Sequence, residues 1–154
     1  MILNTKHFGQ IQIQEDKILI FEEGIPGFPN NKKYVLICDE ENEDSPFCWL
    51  QSVEDENIAF ALLNPTKIYS NYSPKVDDDL IKSLGDFSAN DLALYCIVVI
   101  PENYKKMTVN LKAPIVINTI TKKGMQIIAE NEEYEIRHNI FNDLTEYTST
   151  KEGV

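Results

Sequence analysis

The chain has little of what membrane insertion or nucleic-acid binding requires. No apolar run approaches the roughly 20 residues of a membrane helix, and the first residues show no basic segment followed by an apolar stretch. Only 14 Lys and Arg residues stand against 25 Asp and Glu residues, which gives a net charge of −11. Because phosphates are bound mainly through Lys and Arg, we expect no direct nucleic-acid partner and no membrane partner. We expect a cytoplasmic protein that favours a basic protein partner.

Residues that carry catalysis are also scarce. His7 and His138 are the only histidines, and no HExxH, GxSxG, GxxxxGK[S/T] or GxGxxG motif occurs. The acidic clusters at 39–44, 54–56 and 130–135 lack the ligand spacing of a calcium loop, so we interpret them as solvated loops or as a docking surface for a basic partner. We therefore expect no enzymatic activity, no cofactor and no metal, although a His–Cys pair formed by the fold stays open.

Cysteine is represented by three residues, Cys38, Cys48 and Cys96. Each lies in an apolar run, no CxxC motif occurs, and the number is odd. This pattern argues against a disulfide framework or a zinc site. We predict three buried free thiols, each packing as a small apolar residue.

What the chain does contain is a series of short apolar segments separated by turn residues, which is typical of an antiparallel sandwich or barrel. The segments are 11–14, 17–21, 34–38, 47–52, 58–63, 92–100, 107–111, 115–120 and 125–129. We expect the first two to form a hairpin and 92–100, ended by Pro101, to be a central strand. We predict an all-β fold in which residues 1–144 form one small antiparallel β-barrel, partly open or closed, with one or two short helices. An open sandwich is the alternative.

A 3.6-residue apolar period predicts one helix over 76–84. Ser73 is suited to cap it, Pro74 to begin it and Gly85 to end it. We expect this helix to plug one end or opening of the barrel. A weaker apolar pattern indicates a second helix around 136–144, and the polar residues 145–154 are expected to form a disordered tail.

The most unusual local string is GIPGFP at 24–29. Pro26 and Gly27 fit the two central positions of a type II turn, with Ile25 and Phe28 on either side. A stiff turn that presents apolar side chains loses little entropy on binding, so Ile25 and Phe28 are candidate partner-binding residues. The alternative is a rigid loop without a binding role.

Four further residues are candidates for partner binding. Strand alternation places Trp49 and Gln51 on one face of 47–52, where the indole is either a binding anchor or core packing. Asn110 and Asn118 lie near predicted strand ends, where asparagine also serves turns. Sequence alone does not separate these roles.

Five strings, taken in order, resemble the family of the flagellar assembly factor FliW. They are FEEGIPGF at 21–28, PFCWLQS at 46–52, FALLNP at 60–65, IVVIP at 97–101 and TVNLKAPIVIN at 108–118. The resemblance extends to about His138 and leaves out the acidic loop at 39–44 and the tail.

The resemblance implies a small β-barrel-like protein without enzymatic activity that binds newly made flagellin. It also implies an antagonist of the carbon storage regulator CsrA, an RNA-binding dimer that represses flagellin translation, with binding that switches between the two partners. A rival interpretation from another class is a small-ligand barrel that resembles the split-barrel flavin binders. Its only support is the Lys pairs at 32–33, 105–106 and 122–123, which lie at predicted turns.

Overall fold

The computed structural model describes residues 1–39 and 41–152. Within them the elements in chain order are β1 (Ile2–Thr5), β2 (Gly9–Gln12), β3 (Leu19–Ile20), β4 (Lys33–Cys38), β5 (Phe47–Ser52), β6 (Ala59–Leu63), α1 (Pro65–Ile68), α2 (Asp78–Lys82), β7 (Leu92–Val99), β8 (Thr108–Val109), β9 (Ile115–Asn118), β10 (Lys123–Gln126), β11 (His138–Asn139) and α3 (Phe141–Glu152). The helices among these residues are all too short or too polar to cross a membrane.

Seven strands close into a barrel in the order β3–β4–β5–β6–β7–β9–β10. The ring is completed by the antiparallel β7–β9 pairing and by a single parallel pairing between β10 and β3. All other neighbours in the ring are antiparallel. The predicted all-β barrel with short helices is thus confirmed, in its closed form.

Strand alternation separates the barrel interior from its outer surface. On β9, Ile115 and Ile117 pack inside with Leu50 of β5 and Leu62 of β6. Val116, between them in sequence, belongs to a different cluster on the outside. The outer face of this small barrel is therefore also apolar and needs a cover.

Three separate groups of elements provide that cover. The β1–β2 hairpin packs Leu3 and Ile13 against Val35 of β4. On the outside of β6 and β7 lie α1, β8, β11 and α3, with Ile140 fully buried. The third cover is α2, whose Ile81 lies against β9. The predicted helix therefore covers a barrel wall and does not plug an end, because outward-facing residues of β9 are apolar.

The predicted hairpin between 11–14 and 17–21 does not form. Instead β2 pairs with β1, and β3 pairs with β4. Residues Glu15–Lys17 form a 3-10 turn that carries the chain from the outer hairpin into the barrel. The polar pair Glu15 and Asp16 thus connects two layers and not two partner strands.

The helix near residue 80 begins later than its sequence signals predict. Asp77 is the N-cap, and its side chain accepts a hydrogen bond from the amide of Asp79. Upstream, the amide of Ser73 donates to the Tyr134 hydroxyl and that of Lys75 to Asn131 Oδ1. These tertiary bonds replace the helical turn that Ser73 and Pro74 would begin.

The cysteine prediction is wrong for two of the three residues. Cys38 and Cys48 lie directly opposite each other on β4 and β5, with their Cα atoms 4.4 Å apart, and form a disulfide. The sequence alone does not reveal this pairing, because only the register of β4 and β5 places the two cysteines opposite each other. Cys96 is a buried free thiol, as predicted.

The C-terminal segment also differs from the expectation. Helix α3 runs across the predicted boundary at residue 144 and continues to Glu152. Residues 145–152 of the expected disordered tail are therefore helical, and 153–154 lie outside the described residues. The Tyr147 hydroxyl donates to the carbonyl of Asp44, which connects the helix to the acidic loop.

Candidate partner-binding surface

The Ile25–Phe28 turn has the predicted type II character. The amide of Phe28 donates to the carbonyl of Ile25 at 2.7 Å, and the two residues form an isolated β-bridge. Gly27 has a φ of +91°, the left-handed value required at the third position. The turn is therefore closed by its own backbone and needs no partner to hold its shape.

Gly24 fixes this turn to the following residues. Its φ is +69°, and a Cβ atom at this position would lie 2.6 Å from the Phe28 carbonyl oxygen and 2.8 Å from Pro29 Cα. Backbone atoms cannot give way at such distances, so only glycine fits here. The close approach holds Gly24, just before the turn, against Phe28 and Pro29 at its end.

The two apolar residues of the turn have different environments. Ile25 is 2% exposed and packs in the barrel interior, so it cannot be the surface anchor that the sequence suggested. Phe28 is 37% exposed, with its ring edge-on to Phe60 at 5.3 Å. Of this pair, Phe28 is the residue that a partner can reach.

Trp49 lies half-buried on the outer face of β5. Its indole stacks on His7 at 5.5 Å and meets the edge of Phe8 at 5.8 Å, both from the turn of the β1–β2 hairpin. This aromatic group joins the hairpin to the barrel wall. Trp49 therefore combines a packing role with a remaining exposed edge.

Gln51 is fully buried and does not reach the surface. Its Nε2 donates to the carbonyl oxygens of Ser52, Glu56 and Ile58, between 3.0 and 3.4 Å. These bonds close the loop between β5 and β6. The prediction that Gln51 faces a partner is corrected, because the side chain is fully buried and its Nε2 is bonded to loop carbonyls.

Asn118 is fully buried as well. Its Nδ2 donates to the carbonyls of Gly85 and Asp86, and its Oδ1 accepts from the amides of Ile120 and Thr121. One side chain thus joins the loop after β9 to the loop after α2. Its predicted role as a contact residue is corrected to a structural one.

Asn110 is half-buried after β8. Its Oδ1 accepts the amide of Ala113 at 2.9 Å, and its own amide donates to the Ile97 carbonyl. It serves the turn between β8 and β9, while part of the residue stays accessible. It is still a candidate for contact.

The accessible candidates do not form one patch. Phe60, under Phe28, packs toward the barrel interior, whereas Trp49 packs with the outer cluster. Leu50, opposite Phe60 in the register, is also an interior residue. Phe28 therefore contacts the interior side of the sheet through Phe60, whereas Trp49 lies on its outer side, so a partner that contacts both must extend over more than one face.

The sequence interpretation missed another exposed apolar group at the end of β7. Val99 is 60% exposed, Ile100 is 49% exposed, and Tyr104 lies beside Phe141 of α3 with ring centroids 5.6 Å apart. The run 92–100 predicts a central strand, which is correct through Val99. The polar residues after Pro101 were the available signal that the end of the run reaches solvent.

Cys96 and His138, the members of a possible His–Cys pair, each have other partners. Cys96 is buried, its Sγ contacts the Tyr72 hydroxyl at 3.7 Å, and burial raises the pKa of its thiol to about 12. His138 instead lies 3.2 Å from Asp143, whose carboxylate also accepts a hydrogen bond from Tyr69. That network joins β11, α1 and α3. The contacts of Asp143 with His138 and Tyr69 therefore have a structural role, which is to hold the C-terminal helix against its neighbours.

The acidic clusters are surface loops. Asp39 accepts hydrogen bonds from the amides of Glu41 and Asn42, which is a local turn cap, and the described part of 39–44 is exposed. Glu40 lies outside the described residues. Across the described part of the chain, no three His, Cys, Asp or Glu side chains are grouped to hold a metal ion.

Comparison with known proteins identifies the family of the chain. The family model FliW protein matches residues 2–140. The chain belongs to the FliW family.

Curated relatives extend over nearly the whole chain. The flagellar assembly factor FliW of Thermoanaerobacter pseudethanolicus is 45% identical over 144 residues, which cover 94% of this chain and 95% of the relative. That of Caldicellulosiruptor saccharolyticus is 44% identical over 143 residues, covering 93% and 92%. A crystal structure of the flagellar assembly factor FliW superposes with a TM-score of 0.82 at 36% identity, covering 92% of this chain and 97% of that one.

Proposed function

We propose that this protein is a cytoplasmic flagellar assembly factor that binds flagellin and antagonises the translational repressor CsrA by switching between the two partners. The observation that carries the proposal is the match to the FliW family over residues 2–140. The protein acts by protein–protein binding, without catalysis and without a cofactor.

Flagellin is held through apolar contacts, with Phe28 as the main anchor. The ring is presented by a turn whose backbone is already closed, so little entropy is lost when a partner covers it. Aromatic anchors of this kind dominate interface energies. Trp49 and Asn110 are secondary contacts, since both are half-buried by neighbouring elements.

CsrA is attracted by charge. The net charge of −11 and the exposed acidic residues in the described part of 39–44 produce a field that attracts a basic RNA-binding protein. Once bound, the same field repels RNA phosphates within a Debye length of about 8 Å. Capture of CsrA should therefore weaken as salt is raised, and an affinity insensitive to ionic strength would refute the electrostatic part.

Switching requires that the two ligands compete, through overlapping surfaces or through a coupling of about 1–3 kcal/mol. Gel filtration of a mixture of this protein, flagellin and CsrA tests the requirement. Two binary complexes without a ternary one would indicate overlapping surfaces. A single peak containing all three chains would exclude full overlap.

The direct test of partner identity is a pull-down from the native cytoplasm with the tagged full chain. We expect flagellin and CsrA among the captured proteins. Phe28→Ala should lose flagellin, while Phe87→Ala, which removes a ring that is similarly exposed at 39%, should retain it. Capture of neither protein by the wild type would overturn the proposal. A coloured or nucleotide-loaded preparation would favour the small-ligand barrel instead.

A further inference from the structure

A groove of about 600 Å³ opens in the barrel wall beside β4. It extends between the β1–β2 hairpin, β4 and the strands β7 and β9. Its apolar lining includes Ile11, Ile13, Leu19, Leu36, Tyr95 and Ile117. The opening exists because β3, which should separate β4 from β10 and β9, has only two residues.

Within the described residues, the short β3 leaves four of the six residues of β4 without a partner on one side. Leu19 and Ile20 pair with Tyr34 and Lys33, and the register ends there. Beyond this point, in the described part of the chain, residues 35–38 pair only with β5. Unpaired strand edges of this kind are templates for another strand.

The register shows which backbone groups face the groove. The amide of Val53 donates to the carbonyl of Lys33, so Lys33 and Val53 form a hydrogen-bonded pair. Along β4 and β5, non-hydrogen-bonded and hydrogen-bonded pairs then alternate. The 4.4 Å Cα separation of Cys38 and Cys48 is the short distance of a non-hydrogen-bonded pair. The N–H and C=O groups of Cys38, and of Leu36 two residues earlier, therefore point away from β5.

Two cations line the same groove. Lys17 and Lys122 both contribute to it, and neither ammonium group makes an ion pair or hydrogen bond with the rest of the described chain. The groove is therefore locally positive, although the protein as a whole has 25 acidic residues and only 14 basic ones. The two lysines suit an occupant that carries a carboxylate.

We propose that this groove binds an extended peptide segment of a partner protein, which adds as a strand to the free edge of β4. Alternate apolar side chains of the segment enter the groove, and a carboxylate of the segment lies beside Lys17 and Lys122. Main-chain hydrogen bonds to Leu36 and Cys38 supply affinity, and the groove selects the side chains. The inference rests on the proposed protein-binding function, but it assigns a mode and a place that are separate from Phe28.

A pool of synthetic hexapeptides tests the mode directly. The pool has the pattern X-Thr-X-Thr-X-Asp, where X is Val, Ile or Leu, with an acetylated N-terminus and a free carboxylate. It is titrated to millimolar concentration into ¹⁵N-labelled full-length protein. We expect the amide signals of Leu36 and Cys38 to shift and their hydrogen exchange to slow at least tenfold. The amides of Val35 and Ile37, already bonded to β5, should not slow.

Peptide and protein variants separate strand addition from general stickiness. N-methylation of alternate peptide amides should raise the dissociation constant at least tenfold, because the edge bonds are lost. Lys17→Gln with Lys122→Asn should weaken binding at least threefold, and the matched pair Lys82→Gln with Lys105→Gln should not. Asn is chosen at 122 because the φ there is +63°.

Three results would overturn the inference. One is the absence of any effect at Leu36 and Cys38 with the whole pool. Another is equal binding by the N-methylated pool. The third is binding of decanoate in the groove while the peptides have no effect, which would indicate an amphiphile site. A parallel flagellin titration separates the claims: binding of flagellin without peptide binding defeats only this inference, and peptide binding without flagellin binding defeats the proposed function.

Discussion

The loop that follows β9 and the turn between β3 and β4 are both tight, yet they use their central residues in opposite ways. In the first, the side chain of Asn118 is fully buried and satisfies four backbone groups. In the second, glycines allow the backbone to close on itself, and Phe28 is left partly exposed. The loop after β9 thus connects parts of the barrel through one buried side chain. The turn between β3 and β4 is closed by its own backbone, which leaves Phe28 available for binding.

The largest expected effect is the loss of Asn118. Asn118→Ala leaves the carbonyls of Gly85 and Asp86 and two amides without their buried partner, so we expect a loss of about 3 kcal/mol in the free energy of unfolding. Urea denaturation measures it. The control is Asn103→Ala, an exposed cap that should cost less than about 1 kcal/mol. Equal costs would contradict the structural role of Asn118.

The next effect distinguishes two glycines of the Phe28 turn. Gly24→Ala should cost about 3 kcal/mol, because its new methyl group meets the Phe28 carbonyl as well as an unfavourable φ. Gly27→Ala has an unfavourable φ but nothing within 4 Å, so about 1 kcal/mol is expected. Thermal and urea unfolding of the two variants give the ranking. The reverse order would show that the turn is not pinned at Gly24.

The binding effect of the exposed ring comes third. Phe28→Ala should weaken flagellin binding about tenfold, or about 1.4 kcal/mol, with a smaller loss of stability. Charge reversal at Glu41 and Glu43 should change flagellin binding less than threefold, because these residues are solvated. The opposite ranking in a titration would contradict the apolar mode. Trp49→Ala should also weaken binding more than charge reversal does, but it needs a stability correction since its ring supports the β1–β2 hairpin.

The smallest effect is the pH dependence of stability that comes from Glu54, which binds the chain just after the Phe28 turn. Glu54 accepts hydrogen bonds from the amides of Lys32 and Lys33, and these lower the pKa of its carboxyl. A lowered folded-state pKa gives stability that is present above the unfolded value of about 4.3 and is lost as pH falls through the folded value. Glu54→Gln should therefore be less stable than the wild type at pH 7, with the difference shrinking toward pH 3. A difference that is constant with pH would exclude this account.

Sequence patterns predicted those parts of the fold that depend on local alternation. The boundaries predicted for β5 are correct to the residue, since Cys48 and Leu50 alternate with Phe47 and Trp49 between inside and outside. The type II turn was also predictable, because Pro26 and Gly27 have strong backbone preferences. Strands β1, β8 and β11 were missed or misjudged because two to four residues carry little periodic signal.

What could not be predicted depends on contacts between distant segments. The Cys38–Cys48 disulfide follows from the β4–β5 register, and the late start of α2 follows from bonds to Tyr134 and Asn131. The burial of Gln51 and Asn118 follows from loops that fold over them. An asparagine or glutamine near a strand end is compatible with binding or with loop closure, and only the surrounding chain decides between them.

Calorimetric titration of monomeric flagellin into the full-length protein tests the central claim most directly. The account predicts a saturable heat with one-to-one stoichiometry, a Phe28→Ala curve weakened about tenfold and a Phe87→Ala curve like the wild type. With folded, monomeric material on both sides, the absence of heat and of any complex on gel filtration would contradict it.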